Sequence, residues 1–193
     1  MNNSIQKERT KRYFIDAAKE LISDYGIEKL SVRKVGEKAG YSYATIYNYF
    51  KDINTLISHV ALDYLEDVYD YLIEYKDDSL DSISQVKIYS REYVNYMDNN
   101  KDIFKIVFVE DFGTTPKDLF QDITVPLGIT SLLNEAISKI FPDSKDESQF
   151  LFQLLASSIH GKLIFFIGNR ENITKEDIYN LIDLEIDFIL RRK

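Results

Sequence analysis

Residues 26–57 read GIEKLSVRKVGEKAGYSYATIYNYFKDINTLI, and this stretch decides the fold. Ser31 stands where a helix N-cap belongs, just ahead of a short segment that runs to about residue 38. Ala39-Gly40-Tyr41 then makes a three-residue turn with glycine at its centre. Ser42 caps a second short helix, expected over about 42–49. Val32 and Val35 supply the inward face of the first helix, and Ile46 with Phe50 that of the second. Two short helices joined by a glycine turn form a helix-turn-helix pattern.

The outward side of the second helix carries Tyr43, Thr45, Tyr47, Asn48 and Tyr49. Small and hydrogen-bonding side chains at the start of such a helix can reach base edges in a major groove. Tyrosine hydroxyls, Ser31, Ser42 and Lys51 are suited to phosphate oxygens, and Ser42 brings the helix N-terminus toward an anion.

Charge divides along the same line. The chain of 193 residues has a net charge of −8, but residues 1–51 carry +4 and the remainder −12. A basic N-terminal quarter joined to an acidic body implies two modules with different partners. The acidic balance reads as solubility and as keeping the body off nucleic acid. Cysteine is absent, which excludes disulfide scaffolds, thiolate metal sites and thiol catalysis. The two histidines, His59 and His160, lie outside any HExxH or ExxH spacing, so no metal site is expected. No nucleophile–base pair or phosphate loop is present, so no catalytic residue, cofactor or enzyme activity is assigned. The longest unbroken apolar piece, Leu163–Ile167, is far shorter than the roughly 18 residues of a membrane span. With no signal-peptide pattern, the expected location is the cytoplasm.

Outward from the motif, nearly every segment has helical periodicity. Phe14, Ala17, Ala18, Leu21 and Ile22 line one side of a first helix over 5–25, closed by Gly26 in a left-handed conformation. Asp52 caps a fourth helix reaching about residue 75, with Leu56, Val60, Leu65 and Leu72 inward. A fifth follows Asp77-Asp78-Ser79, and a sixth spans about 101–110. Thr115-Pro116 opens the next, and Pro126 kinks or splits it. Ser144 with Glu147 marks a capping box for a long helix of about 145–167, and Thr174 with Asp177 caps the last one. Residues 150–167 are apolar around most of the helix, and Leu181, Ile182, Leu184, Ile186, Phe188 and Ile189 cover more than one stripe of the final one. A helix apolar on two sides needs two partners, and a second copy of the chain is the simplest. The expected class is all-α with about nine helices: a three-helix DNA-binding domain at 1–51 and a helical body at 52–193, dimeric through the last two helices.

The head resembles the tetracycline-repressor-like (TetR/AcrR) family of transcription regulators. Gly26, Ser31, Val35, Gly36, Ala39, Gly40, Tyr41, Ser42, Ile46, Tyr47, Tyr49, Phe50 and Leu56 fall at the spacing of that family's N-terminal signature without a gap. The chain departs from it at Gly36, where alanine is usual, at Tyr41 in place of valine, and at Ile53, where a lysine usually contacts phosphate. The resemblance implies that Tyr43, Ala44 and Thr45 lie at the groove end of the recognition helix, with Arg33 a second base contact. It implies that Ser31, Ser42, Tyr47, Tyr49 and Lys51 grip the backbone beside Asn48, helped by Lys7, Arg9, Lys11 and Arg12.

The resemblance also implies a small-molecule pocket in the body, which would serve as effector-binding and dimerisation domain. Tyr64, Tyr89, Tyr93, Phe104, Phe108, Phe120 and Phe152 make that body aromatic, and His160 is a candidate polar anchor. Such a lining favours a hydrophobic effector. The expected function is a ligand-responsive repressor bound as a homodimer to a pseudo-palindromic double-stranded DNA operator, with no membrane partner. Two alternatives stand beside it: a regulator whose body binds a protein, and a helical ligand carrier that does not bind DNA.

Overall fold

The computed structural model describes residues 2–110 and 128–191, and among these there are nine α-helices, one 3₁₀ turn and no strand. The helices are α1 (Asn2–Tyr25), α2 (Val32–Ala39), α3 (Tyr43–Ile46), α4 (Ile53–Ile73), α5 (Ser82–Asn99), α6 (Lys101–Phe108), α7 (Gly128–Ile140), α8 (Lys145–Ile167) and α9 (Lys175–Leu190). The expected helix start at Thr115-Pro116, the kink at Pro126, and Phe120 lie outside the described residues.

Most boundaries follow from local chemistry. Ser31, Ser42 and Ser144 each accept a hydrogen bond from the backbone N–H three residues on, and Asp52 accepts from Thr55 at 2.7 Å. Thr174 and Asp177 form the full reciprocal box. Helix α5 starts later than expected. Its cap is Asp81, which accepts from the Ile83 and Ser84 N–H groups, whereas Asp77 closes a turn with Ser79.

Three further expectations are corrected. Helix α3 is α-helical only over four residues, not eight. Beyond Ile46 the chain continues as tight turns, Asn48 N–H to Thr45 and Tyr49 N–H to Ile46. β-branched and aromatic residues dominate this segment and hold a regular helix poorly. Gly26 has φ +79° and ψ +160°, an extended region that only glycine enters readily, rather than the left-handed helical one. It leads into the 3₁₀ turn Ile27–Lys29, for which the sequence reading had no signal. Helix α8 contains an 18-residue window of mean hydropathy 1.6, so by length and composition it is apolar enough to cross a membrane. A span-like segment therefore exists where none was expected, because isolated polar residues interrupt the apolar run without lowering its average much.

The chain divides into two compact units, Met1–Tyr64 with Lys105–Thr124, and Leu65–Phe104 with Val125–Lys193. In the first, Phe14, Ala18, Val35, Ile46, Leu56 and Val60 are buried completely. Phe14 sits centrally, with ring centroids 6.4 Å from Phe50, 5.6 Å from Tyr49 and 5.3 Å from Tyr41. Arg12 and Lys19 on α1 both bind the carboxylate of Asp63 on α4, Lys19 at 2.5 Å, and the Lys19 ammonium lies 4.9 Å above the Tyr64 ring.

In the second unit, α8 buries Leu151, Leu155, Ile159 and Leu163, a stripe with four-residue spacing. Helix α9 buries Ile178, Ile182 and Ile186 in the same way. Lys162 ties the pair by binding Glu185 at 2.6 Å, and α5 joins through Lys87–Asp187 and Arg91–Asp183. Opposite those stripes, Phe150, Leu154 and Phe165 on α8 and Leu181, Leu184 and Phe188 on α9 stay exposed.

Gly40 closes α2 with φ +77° and ψ +24°, and the Gly40 and Tyr41 N–H groups turn back to the carbonyls of Glu37 and Gly36. No atom lies within 4 Å of where a Cβ would be. Gly40→Ala should therefore destabilise the protein by about 1–2 kcal/mol through backbone strain alone. Gly40→Asn should cost less, and urea titration of both variants measures the difference.

Candidate nucleic-acid interface

A reading surface needs exposed polar groups on a fixed support, and the head has both. Ile46 and Phe50 are buried to 1% exposure or less, while Tyr43 and Tyr47 remain 61% and 53% exposed. The segment is thus held from behind and displays its tyrosines outward. Gly36 permits a close approach between α2 and the turn. A Cβ there would stand 3.1 Å from the Tyr41 carbonyl oxygen and from the Tyr43 N and Cα atoms. Glycine costs α2 about 1 kcal/mol of helix propensity relative to alanine and leaves that space open.

The expected contact residues fall into distinct groups. Ser42, Tyr43, Ala44, Tyr47, Asn48 and Lys51 are exposed. The Thr45 hydroxyl is 2.9 Å from that of Ser42, and Thr45 is half-buried. Ser31 is half-buried and caps α2. Arg33 is exposed, and its guanidinium pairs with Glu37 at 2.9 Å, one turn along α2. Tyr49 is half-buried against Phe14.

Along the arm, Lys7 and Arg9 are exposed, and the Lys11 ammonium lies 5.8 Å over the Phe50 ring. Arg12 is exposed as well, and it is engaged within the head. Its guanidinium binds Asp16 and Asp63, which outweigh desolvation and raise its pKa. Beside the reading segment, Gln6, Lys7, Thr10, Tyr41, Asn48 and Tyr49 line an open cavity of about 400 Å³. Gln6 and Thr10 were not singled out in the sequence. They stand eight and four residues before Phe14, on the same side of α1, and that spacing was the available signal.

The expected effector residues do not form one set. Tyr93, Phe104 and His160 come together in the second unit. The Tyr93 hydroxyl is 2.7 Å from His160 Nε2, and the imidazole centroid is 6.2 Å from that of Phe104. A hydrogen bond to the Ala156 carbonyl occupies the other ring nitrogen, so the neutral tautomer has Nδ1–H donating and Nε2 accepting from Tyr93. Burial pushes the Tyr93 pKa up and that of His160 down. Phe152 is half-buried against the same core. Tyr89 is buried one turn before Tyr93 but lines a separate cavity. Tyr64 and Phe108 belong to the first unit, buried and exposed respectively. Phe120 lies outside the described residues. Among the described residues, no group of three or more His, Asp or Glu side chains is placed to hold a metal ion.

Residues 14–60 match the model of the bacterial regulatory proteins of the tetR family. The head is of the TetR family. The class D tetracycline repressor protein of Escherichia coli is 30% identical over 89 residues, which are 45% of this chain and 41% of that protein. The chain thus matches less than half the length of that curated relative. Beyond the TetR-family head the likeness is one of fold. A TetR transcriptional regulator from Rhodococcus sp. RHA1 superposes with a TM-score of 0.70 at 15% identity, covering 95% of this chain and 97% of that one. The FadR regulator of Bacillus subtilis, in complex with stearoyl-CoA, gives 0.63 at 13% identity over 93% and 97%.

Burial lowers the pKa of both histidines from the ordinary 6.5, with nearby Lys11 adding to the effect at His59. The unfolded chain therefore takes up protons near pH 6.5 that the folded chain refuses, and stability falls as pH drops through that value. Denaturation midpoints should decline from pH 7 toward pH 5.5. His160→Gln, which keeps a neutral hydrogen-bonding group, should flatten part of that decline.

Proposed function

We propose that this chain is a ligand-responsive DNA-binding transcriptional regulator, a repressor released from a pseudo-palindromic operator by a small hydrophobic effector. The observation that carries the reading is the supported tyrosine face, with Tyr43 and Tyr47 exposed over buried Ile46 and Phe50 in a TetR-family head. Residues 1–51 act as reader and 52–193 as effector-binding and dimerisation part. Tyr43, Ala44, Thr45 and Asn48 face the bases, with Arg33 beside them. Ser31, Ser42, Tyr47, Tyr49 and Lys51 hold phosphates, and the +4 charge of residues 1–51 draws the head to the duplex.

Dimerisation runs through α8 and α9. Their six exposed Phe and Leu side chains support it, since large apolar side chains grouped on paired helices mark an interaction surface. A two-fold pair then presents two readers to half-sites about one helical turn apart, or a multiple of that. The effector acts in the aromatic body. Tyr93, Phe104, Phe152 and His160 are its principal candidates, followed by Tyr64, Tyr89 and Phe108. The stearoyl-CoA complex of the B. subtilis FadR supports a hydrophobic ligand. An effector that favours one setting of α4 over another changes operator affinity, typically by about 1–3 kcal/mol, and operator must then weaken effector binding equally.

Selection of bound fragments from random duplex DNA should yield a two-half-site sequence whose affinity falls steeply with salt. Failure to bind any duplex at low salt overturns the reading. Tyr47→Phe should weaken binding on all sequences alike, and Thr45→Ala should relax preference at one base position. Gel shifts with matched operator variants separate these two effects. Leu184→Glu places a charge on the exposed α9 face, so light scattering should report monomers where the natural chain is dimeric, with operator affinity lost in parallel.

A further inference from the structure

The open cavity of about 400 Å³ beside the reading segment is made by two parts of the head that lie far apart in sequence. Gln6, Lys7 and Thr10 supply one wall from α1, and Tyr41, Asn48 and Tyr49 supply the other. Position 41 is one of the places where the chain departs from the family signature, with tyrosine for valine, so the signature does not imply this cavity. Packing places the tyrosine. Its ring centroid is 5.3 Å from that of Phe14 and 6.5 Å from that of Tyr13, with which it stacks. Thr10 is 6% exposed, and its hydroxyl donates to the Gln6 carbonyl at 3.0 Å. It therefore steadies the α1 wall and offers no donor of its own.

Charge and hydrogen-bonding capacity in this lining are one-sided. It carries one formal charge, the Lys7 ammonium, and no carboxylate. The acids nearest in sequence are turned elsewhere: Glu8 acts on His59, and Asp52 caps α4 through Thr55. Among the described residues no hydrogen bond or ion pair takes up the Gln6, Lys7 or Asn48 side chain, and all three are exposed, so their donors face solvent. A backbone phosphate is the complement, since its two free oxygens share one negative charge and only accept. Asn48 and Tyr49 already stand among the residues assigned to the duplex. A strand that reaches them lies at the mouth of this cavity and meets α1 across it.

We propose that this cavity seats one backbone phosphate of bound duplex DNA, held jointly by the Lys7 ammonium, the Gln6 amide and the Tyr41 hydroxyl beside Tyr49. Gln6 and Tyr41 thereby join the interface as phosphate contacts, and the start of α1 becomes its second wall. The inference rests on the reading of this chain as a DNA-binding regulator and adds to it the residues that fix α1 against the strand.

The test uses the full chain and the operator duplex selected from random DNA. Lys7→Gln should weaken binding and lower the slope of log K against log salt by about 1, the loss of one phosphate contact. Tyr41→Phe keeps the ring packing and should weaken binding about fivefold on all sequences alike, with the slope unchanged. Single neutral methylphosphonates placed along one half-site then locate the seat. At one phosphate the affinity lost by the natural chain should be absent in Lys7→Gln and reduced in Tyr41→Phe and Gln6→Ala. Inorganic phosphate alone should show no saturable binding by calorimetry. Saturation that Lys7→Gln abolishes would make the cavity a site for free anions and overturn the proposal. So would undiminished affinity and slope in Lys7→Gln, an exposed position that leaves the core untouched, or three variants that point to different phosphates. In those outcomes the regulator reading stands, whereas a natural chain that binds no duplex removes both.

Discussion

The head rests on one packing constraint: a helix of four residues cannot persist by its own hydrogen bonds. Segment 43–50 is fixed because Ile46 and Phe50 are buried beside Phe14. Each such side chain contributes about 1.5–3 kcal/mol on burial, enough to offset a segment rich in poor helix formers. The exposure of Tyr43 and Tyr47 is the other half of the same fact. With the apolar positions committed inward, the tyrosines at 43 and 47 have no protein surface to cover and stand in solvent. Shape and chemistry of this exposed face thus derive from the way two residue classes are interleaved over eight positions.

The Arg12–Asp63–Lys19 cluster extends that fixation to α4. A carboxylate taken from water needs compensation, and two cations on one side of α1 supply it. Arg12 thus serves internal order, and among the basic side chains of the head Lys7, Arg9, Lys34 and Lys51 are exposed. Of these, Lys34 also donates to the Lys29 carbonyl at 2.9 Å and thereby holds the 3₁₀ turn.

What the sequence made legible was whatever depends on neighbours within about four residues. Ser31, Ser42, Asp52 and Thr174 cap as expected because the N–H they satisfy is two or three positions away. Where several residues could cap, as with Asp77, Ser79 and Asp81, local rules do not choose. The choice falls to Gln85, which binds the Asp77 N–H and draws that residue into the loop instead. Long-range pairings were invisible: nothing in periodicity joins Arg12 to Asp63 across 51 positions, or Tyr93 to His160 across 67. The candidate reading residues were legible because they share one short segment. The body candidates were not, because aromatic composition does not tell which rings meet.

Tyr89 and Tyr93 show how far that limit reaches. They occupy successive turns of α5, are buried to a similar degree, and are indistinguishable by pattern. Tyr93 meets His160, and the pair satisfies both hydroxyl and imidazole in an apolar setting. Tyr89 faces a cavity edged by lysines and has no such partner. No buried side-chain polar atom among the described residues lacks a hydrogen-bond partner, so the Tyr89 hydroxyl reaches the solvent of that cavity. Water accepts its hydrogen bond there. The same residue type four positions apart is therefore used once to close the interior and once to line an opening to solvent.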